Sequence, residues 1–151
     1  GYIFYDKNSY SYGWRYLEAA PSDQSTSAKW GCCWTIISGA DGTAVGTGEQ
    51  NTIDIEAGCT TAGTAADICA NLSLGGYSDW FLPSKDELNL MYTNLKLFGV
   101  GGFAVTATGF VYWSSSGGSA APYAWFQNFN NGAQNANSKD WTARVRAVRA
   151  F

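Results

Sequence analysis

From Gly75 to Leu88 the chain reads Gly-Gly-Tyr-Ser-Asp-Trp-Phe-Leu-Pro-Ser-Lys-Asp-Glu-Leu, and no other stretch restricts its folding as tightly. Two glycines set a turn, the aromatic run makes a short strand, Pro83 stops it, and a helix follows. Ser84 with Glu87 three residues on is a capping box, in which each side chain satisfies a backbone N–H at the helix start. Leu88, Met91, Tyr92 and Leu95 then recur at the spacing of one buried helical face. A helix is therefore expected from Lys85 to about Phe98, ending at Gly99.

Elsewhere the signals are shorter. Tyr2, Phe4, Trp14 and Tyr16 suggest two β segments joined by a polar turn around Lys7–Tyr12, and Trp30–Ile37 is a third apolar stretch. Gly39–Gly42 reads as a turn, followed by a loop to Gln50 and a short helix over Thr52–Ala57. A clearer helix runs from about Thr64 to Leu72, with Thr64 and Asp67 as a weak cap. Gly99–Gly109 reads as a loop. Phe110–Ser114, Tyr123–Phe129 and Trp141–Val148 are strand candidates, and Val148-Arg149 breaks the alternation of the last one. Asn130-Asn131-Gly132 is a turn, and the polar residues up to Asp140 make a long hairpin connection. In Tyr123–Phe129, the residues Tyr123, Trp125, Gln127 and Phe129 share one face. These elements give a single α+β domain over residues 1–151, two helices packed on short antiparallel sheets.

Composition excludes several functions. Without a histidine there is no Ser-His-Asp or Cys-His arrangement, and the commonest zinc ligand is missing. The chain is net acidic, so it lacks a nucleic-acid footprint. No apolar run approaches the roughly 20 residues that span a bilayer, so membrane insertion is not expected. The chain opens on the strand-like Gly1–Tyr5 without a signal peptide, as a mature or excised piece of a longer protein would. Its cysteines, Cys32, Cys33, Cys59 and Cys69, match no paired zinc spacing. A vicinal Cys32–Cys33 bridge is strained. Pairing of one or both with Cys59 or Cys69 fits better, and Cys59 with Cys69 is a further alternative. At least one disulfide is expected, and with it an exported protein.

The run Gly75–Leu88, the later Tyr112-Trp113-Ser114-Ser115-Ser116 and the closing Val145-Arg146-Ala147-Val148-Arg149-Ala150-Phe151 together resemble one bacterial family. That family is the C-terminal domain of the Legionella collagen-like adhesin, and Gly1–Tyr5 and Leu17–Ser25 look like its opening. The resemblance implies a C-type-lectin-like fold displayed at the cell surface as an adhesion head. It also implies a trimer and recognition of sulfated glycosaminoglycans. The formylglycine-generating enzymes have a related fold and act through cysteines of the C-terminal strand region. The cysteines here lie in the N-terminal half, so no catalysis is expected.

Two constellations suit a binding role. The polar segment Asn128–Asp140 holds Asn130, Asn131, Asn135 and Asn137 near Tyr123, Trp125 and Trp141. Amides both donate and accept, and aromatic faces cover the apolar side of a sugar ring, so a glycan or surface polysaccharide fits. Lys139, Arg144, Arg146 and Arg149 supply cations for sulfate or carboxylate. The alternative for Arg146 and Arg149 is a structural pairing with acids such as Asp79 or Glu87. Asp140 is the only acid in the Asn-rich segment, and the sugar-coordinating motifs Glu-Pro-Asn and Gln-Pro-Asp are missing. No metal or cofactor is therefore expected there, and only a structural calcium at Asp41 or Asp79 is left open. The expected ligand-binding set is Tyr123, Asn130, Asn131, Asn135, Asn137, Lys139, Trp141 and Arg144, on a homo-oligomeric extracellular head. The other reading is a structural subunit or cap of an extracellular filament, held by aromatic contacts.

Overall fold

The computed structural model describes residues 1–104 and 110–151, which form an α+β arrangement of two sheets and three α-helices. Strands β1 (Tyr2–Ser11) and β2 (Trp14–Ala19) make an antiparallel hairpin, and β8 (Val148–Ala150) pairs with β2 to complete a three-stranded sheet. The second sheet comprises β3 (Ser25–Lys29), β4 (Val111–Gly117), β5 (Tyr123–Asn128), β6 (Gln134–Ser138) and β7 (Thr142–Val145). Its order is β3-β7-β4-β5-β6, antiparallel except for β4 and β7, which run parallel where Tyr112 meets Arg144. Helices α1 (Gly48–Gly58) and α2 (Ala65–Ala70) pack on each other, while α3 (Lys85–Asn94) lies against β1, β4 and β5.

Two pairs of adjacent aromatics tie the layers together. Successive residues of an extended chain point to opposite sides. Trp80 and Trp113 therefore enter one core with Trp30, Ile55 and Leu82, while Phe81 and Tyr112 enter the other with Phe4, Leu17, Leu88 and Met91. Leu88 is fully buried, a contribution of about 2 kcal/mol. Phe81 also exchanges two backbone hydrogen bonds with Val148, at 2.8 and 2.9 Å, which fixes the Trp80-Phe81 segment beside β8.

The serine run after Tyr112-Trp113 is fully buried, and its hydroxyls bond a carbonyl of β5, a side-chain amide of α1 and the first N–H of α3. Ser114 Oγ donates to the Trp125 carbonyl at 2.8 Å. Ser116 Oγ donates to Gly42 O at 2.7 Å and accepts from Lys85 N at 3.0 Å. Ser115 Oγ accepts from the buried Asn51 amide of α1 at 3.1 Å. Each hydroxyl satisfies a polar group that would otherwise be buried without a partner.

Glu87 does more than close its own helix. The capping box is complete, with Ser84 N donating to Oε2 at 2.8 Å and Glu87 N donating to Ser84 Oγ at 3.3 Å. Its other oxygen accepts from Gly46 N at 2.7 Å and Gly48 N at 3.5 Å, at the start of α1. A Cβ on Gly48 would run into Glu87 Oε2, so glycine is required for this close approach. Burial pushes the Glu87 carboxyl above the usual 4.5, against the pull of those N–H donors. A raised folded-state pKa means that the folded protein binds this proton more tightly than the unfolded chain. The associated stability is present in full below 4.5 and is lost as pH rises through the folded-state value. Urea unfolding should therefore show the native protein gaining on Glu87→Gln as pH falls from neutral toward 4.5; a pH-independent gap would contradict this.

Several elements differ from the sequence-based expectations. The first strand runs through the expected Lys7–Tyr12 turn, and the chain reverses only at Tyr12-Gly13, both at positive φ (49° and 83°). That is the backbone of a two-residue hairpin turn. Trp30–Ile37 is irregular rather than extended, with positive φ at Gly31, Cys32 and Trp34. The neighbouring Ser25–Lys29 is the strand instead; at a sheet edge it needs only Ala28 inside. Helix α1 begins four residues before Thr52, because its start is capped by Glu87 from a distant segment. The expected hairpin connection contains β6, whose polar residues pair along β5. Arg146, offered either as a ligand-binding cation or as a structural partner of an acid, is 1% exposed, at the point where the chain leaves β7 for the other sheet. Helix α3 gives way to a 3-10 turn over Lys96–Phe98, which closes at Gly99 in the left-handed region. Residues 105–109 of the expected Gly99–Gly109 loop lie outside the described residues.

Candidate functional site

Register decides which of the expected ligand residues meet. Directly opposed residues of an antiparallel pair share a face. Phe126 opposes Asn135 and Ala124 opposes Asn137, whereas Tyr123 opposes Ser138 and Gln127 opposes Gln134 on the other side. The first face carries a groove of about 420 Å³ lined by Thr26, Val111, Trp113, Phe126 and residues 141–144. Trp113 presents its ring edge-on to Phe126 at 6.2 Å and is anchored by its indole N–H to Ala28 O at 2.9 Å. Trp141, at the groove's end, is 60% exposed. Arg144 also lines the groove, and its guanidinium donates to Asp23 Oδ2 at 2.8 Å, beside the Tyr112 hydroxyl.

The structure thus brings Trp141 and Arg144 to one groove, with Asn135 and Asn137 on the same face of the sheet. Asn135 is exposed, and Asn137 accepts from Ser138 N at 2.7 Å. The other expected residues lie apart. Tyr123 is exposed on the opposite face, where Lys85 sits 3.9 Å over the Trp125 ring. Asn130 and Asn131 build the turn: their N–H groups donate to Asn128 Oδ1, and Asn131 Oδ1 accepts from Ala133 N. Lys139 is 2% exposed and donates to the Thr35 carbonyl at 2.9 Å. It lines a second cleft, of about 360 Å³, with Trp30 and the segments 36–41 and 117–121.

Two members of the basic cluster are structural. Arg149 forks onto Asp79 with both bonds at 2.9 Å, reaches Glu18 at 3.3 Å and stacks 3.7 Å over Tyr77. The guanidinium holds the Asp79 carboxyl below its ordinary range. Arg146 pairs with Asp23. Asp79 is thus the partner of one arginine, while Glu87 pairs with neither. Cys32 and Cys59 form a disulfide, leaving Cys33 half-buried and Cys69 fully buried, its thiol pushed up by desolvation. Among the described residues, no group of three or more acids or cysteines is placed to hold a metal ion.

Sequence reasoning missed Phe126, Val111 and Thr26. It placed Tyr123, Trp125, Gln127 and Phe129 on one face without deciding what the other face carries, and it did not see β3. The usable signal was register: the turn at Asn130–Gly132 sets which β5 residues face Asn135.

A family model described as the Lcl C-terminal domain matches residues 19–149. No curated protein matches the chain.

Proposed function

Because the chain belongs to the Lcl C-terminal domain family, we propose that it is the non-catalytic head of an adhesin, acting at the cell surface and binding a glycan in the groove beside Trp141. The observation that carries this is the exposure of a large aromatic at the end of an apolar groove, flanked by hydroxyls and amides. Thr26 and Thr142 offer hydroxyls, Asn135 an amide and Arg144 a guanidinium, while Phe126 and Trp141 offer apolar faces. That combination suits the two sides of a sugar ring. A homo-oligomer belongs to the same proposal, because single-sugar contacts are weak and avidity multiplies them.

The test is a glycan array probed with a multimerised form of the protein, with and without EDTA. Saturable binding unaffected by EDTA is expected, since the groove needs no cation. Trp141→Ala should weaken it by about thirty-fold or more, as loss of a central aromatic anchor does. The change should leave stability within about 0.5 kcal/mol, because the side chain is mostly exposed. Binding that survives Trp141→Ala moves the site off this groove. A blank array favours the filament-subunit reading.

A further inference from the structure

Lys139 is a buried charge that faces no carboxylate among the described residues, its electrostatic neighbour being the Cys33 thiol. The other buried cations face carboxylates, Arg146 with Asp23 and Arg149 with Asp79. The Lys139 ammonium has the Thr35 carbonyl at 2.9 Å and the Trp30 ring at 4.4 Å, and among the described residues it has no ion-pair partner. An ammonium has three N–H donors, so a carbonyl and a ring face leave one unused. Burial works against the charged form and pulls the lysine below its ordinary 10.5. Nearly buried lysines are rare unless paired, and the missing partner must come from elsewhere.

The cleft beside it supplies the room. Trp30 and Lys139 lie at its base, and the segments 36–41 and 117–121 form its walls. Ser38 and Ser119 add hydroxyls, whereas the glycine backbone is already engaged: Gly39 lies against the Asp54 carboxylate, Gly117 N donates to Ala40 O and Gly118 N to Tyr123 O. Asp41 also lines the cleft, so its charge is one cation against one anion. A polyanion is repelled there, and a ligand with one negative charge and many hydroxyls is not. We propose that this cleft binds the carboxylate of a singly charged acidic sugar residue, with Lys139 as its counter-ion. The sugar part rests on the glycan reading above; the anion part rests on Lys139.

The probes are D-glucuronate, D-glucose and sulfate, titrated separately into the protein while backbone amide resonances are followed by NMR. Glucuronate should move the amides of residues 38–41 and 117–121 in a saturable way, and glucose should bind at least about ten-fold more weakly, the loss of one charge-assisted contact. Lys139→Met should abolish the difference between the two sugars. It should leave the melting temperature equal or higher, because an unpaired buried charge has been replaced by an apolar chain of similar length. Ser119→Trp, at an exposed position on the rim, should block glucuronate while leaving Lys139 in place. Equal binding of glucuronate and glucose overturns the proposal, as does undiminished glucuronate binding by Lys139→Met. Sulfate that displaces glucuronate at equal concentration overturns the carboxylate assignment. A blank glycan array beside a Lys139-dependent glucuronate site removes the adhesion reading alone. Array binding that Trp141→Ala abolishes, with no glucuronate shifts, overturns this proposal alone.

Discussion

Arg146→Ala is expected to destabilise the protein by about 3 kcal/mol or more, the cost of breaking a buried ion pair from one side. The guanidinium is 1% exposed, with Nε and Nη1 hydrogen-bonded and Nη2 held only by its charge against Asp23. Nε donates to Asp23 Oδ1 at 2.8 Å, and Nη2 lies 2.7 Å from the same oxygen. Nη1 donates to the carbonyls of Ala20 at 3.1 Å and Gly101 at 2.7 Å, and the group stacks 4.3 Å over Phe103. Truncation leaves both carbonyls unpaired and opens a cavity against the ring. Asp23 keeps Arg144 and the Tyr112 hydroxyl, which holds the loss toward the lower end of the range for buried pairs. For a chain of this size, 3 kcal/mol lowers the melting temperature by about 6–12 °C. Arg146→Lys should recover little, because an ammonium cannot reach a carboxylate and two carbonyls in three directions at once. A loss below about 1 kcal/mol in urea unfolding would show that the ion pair is not what holds the crossover from β7 to β8.

The second large effect belongs to the disulfide. Cys32 and Cys59 are 27 residues apart, and tethering a loop of that length restricts the unfolded chain by about 3.5 kcal/mol on the loop-entropy estimate. Replacing both cysteines with serine should therefore shift the urea midpoint about as far as Arg146→Ala. Cys33→Ser should leave stability within about 0.5 kcal/mol, since Cys33 is unpaired and only half-buried. Non-reducing digestion should release a peptide pair joined through Cys32 and Cys59. A bridge that persists in Cys32→Ser and is lost in Cys33→Ser would overturn the assignment, and a double serine variant as stable as the native chain would show that the native bridge stores compensating strain.

What could be read from the sequence was what is decided locally. Ser84 and Glu87 are three residues apart, so their cap was visible, and so was Thr64 accepting from Asp67 N. Strands β3 and β6 were not visible. They carry mostly polar side chains, and their pairing depends on β7 and β5, which lie far along the chain or beyond a turn. The buried serines escaped notice for the same reason: a Ser-Ser-Ser run looks like solvent-exposed loop until Asn51, Gly42 and Lys85 are brought to it. For the candidate site, parity correctly put Tyr123, Trp125 and Gln127 on one face, but only the register shows that this face is not the one that carries Asn135 and the groove. Lys139 read as a ligand-binding base and Arg146 as that or a structural one; both are buried, one beside an open cleft and the other against a carboxylate.

The three-stranded sheet joins the two ends of the chain, Leu17 opposite Ala150 and Ala19 opposite Val148, and Phe81 bonds the free side of that last strand. None of these contacts can form while the final residues are still being made. The three-stranded sheet therefore cannot be completed without β8, whereas α1, α2 and α3 pack on β1, β3, β4 and β5, which precede it. Pairing across so much sequence is also slow, placing folding in the range of milliseconds to seconds rather than microseconds. The closing event is the docking of β8: until that strand lies between β2 and Phe81, the first hairpin and the Trp80-Phe81 segment have no common partner.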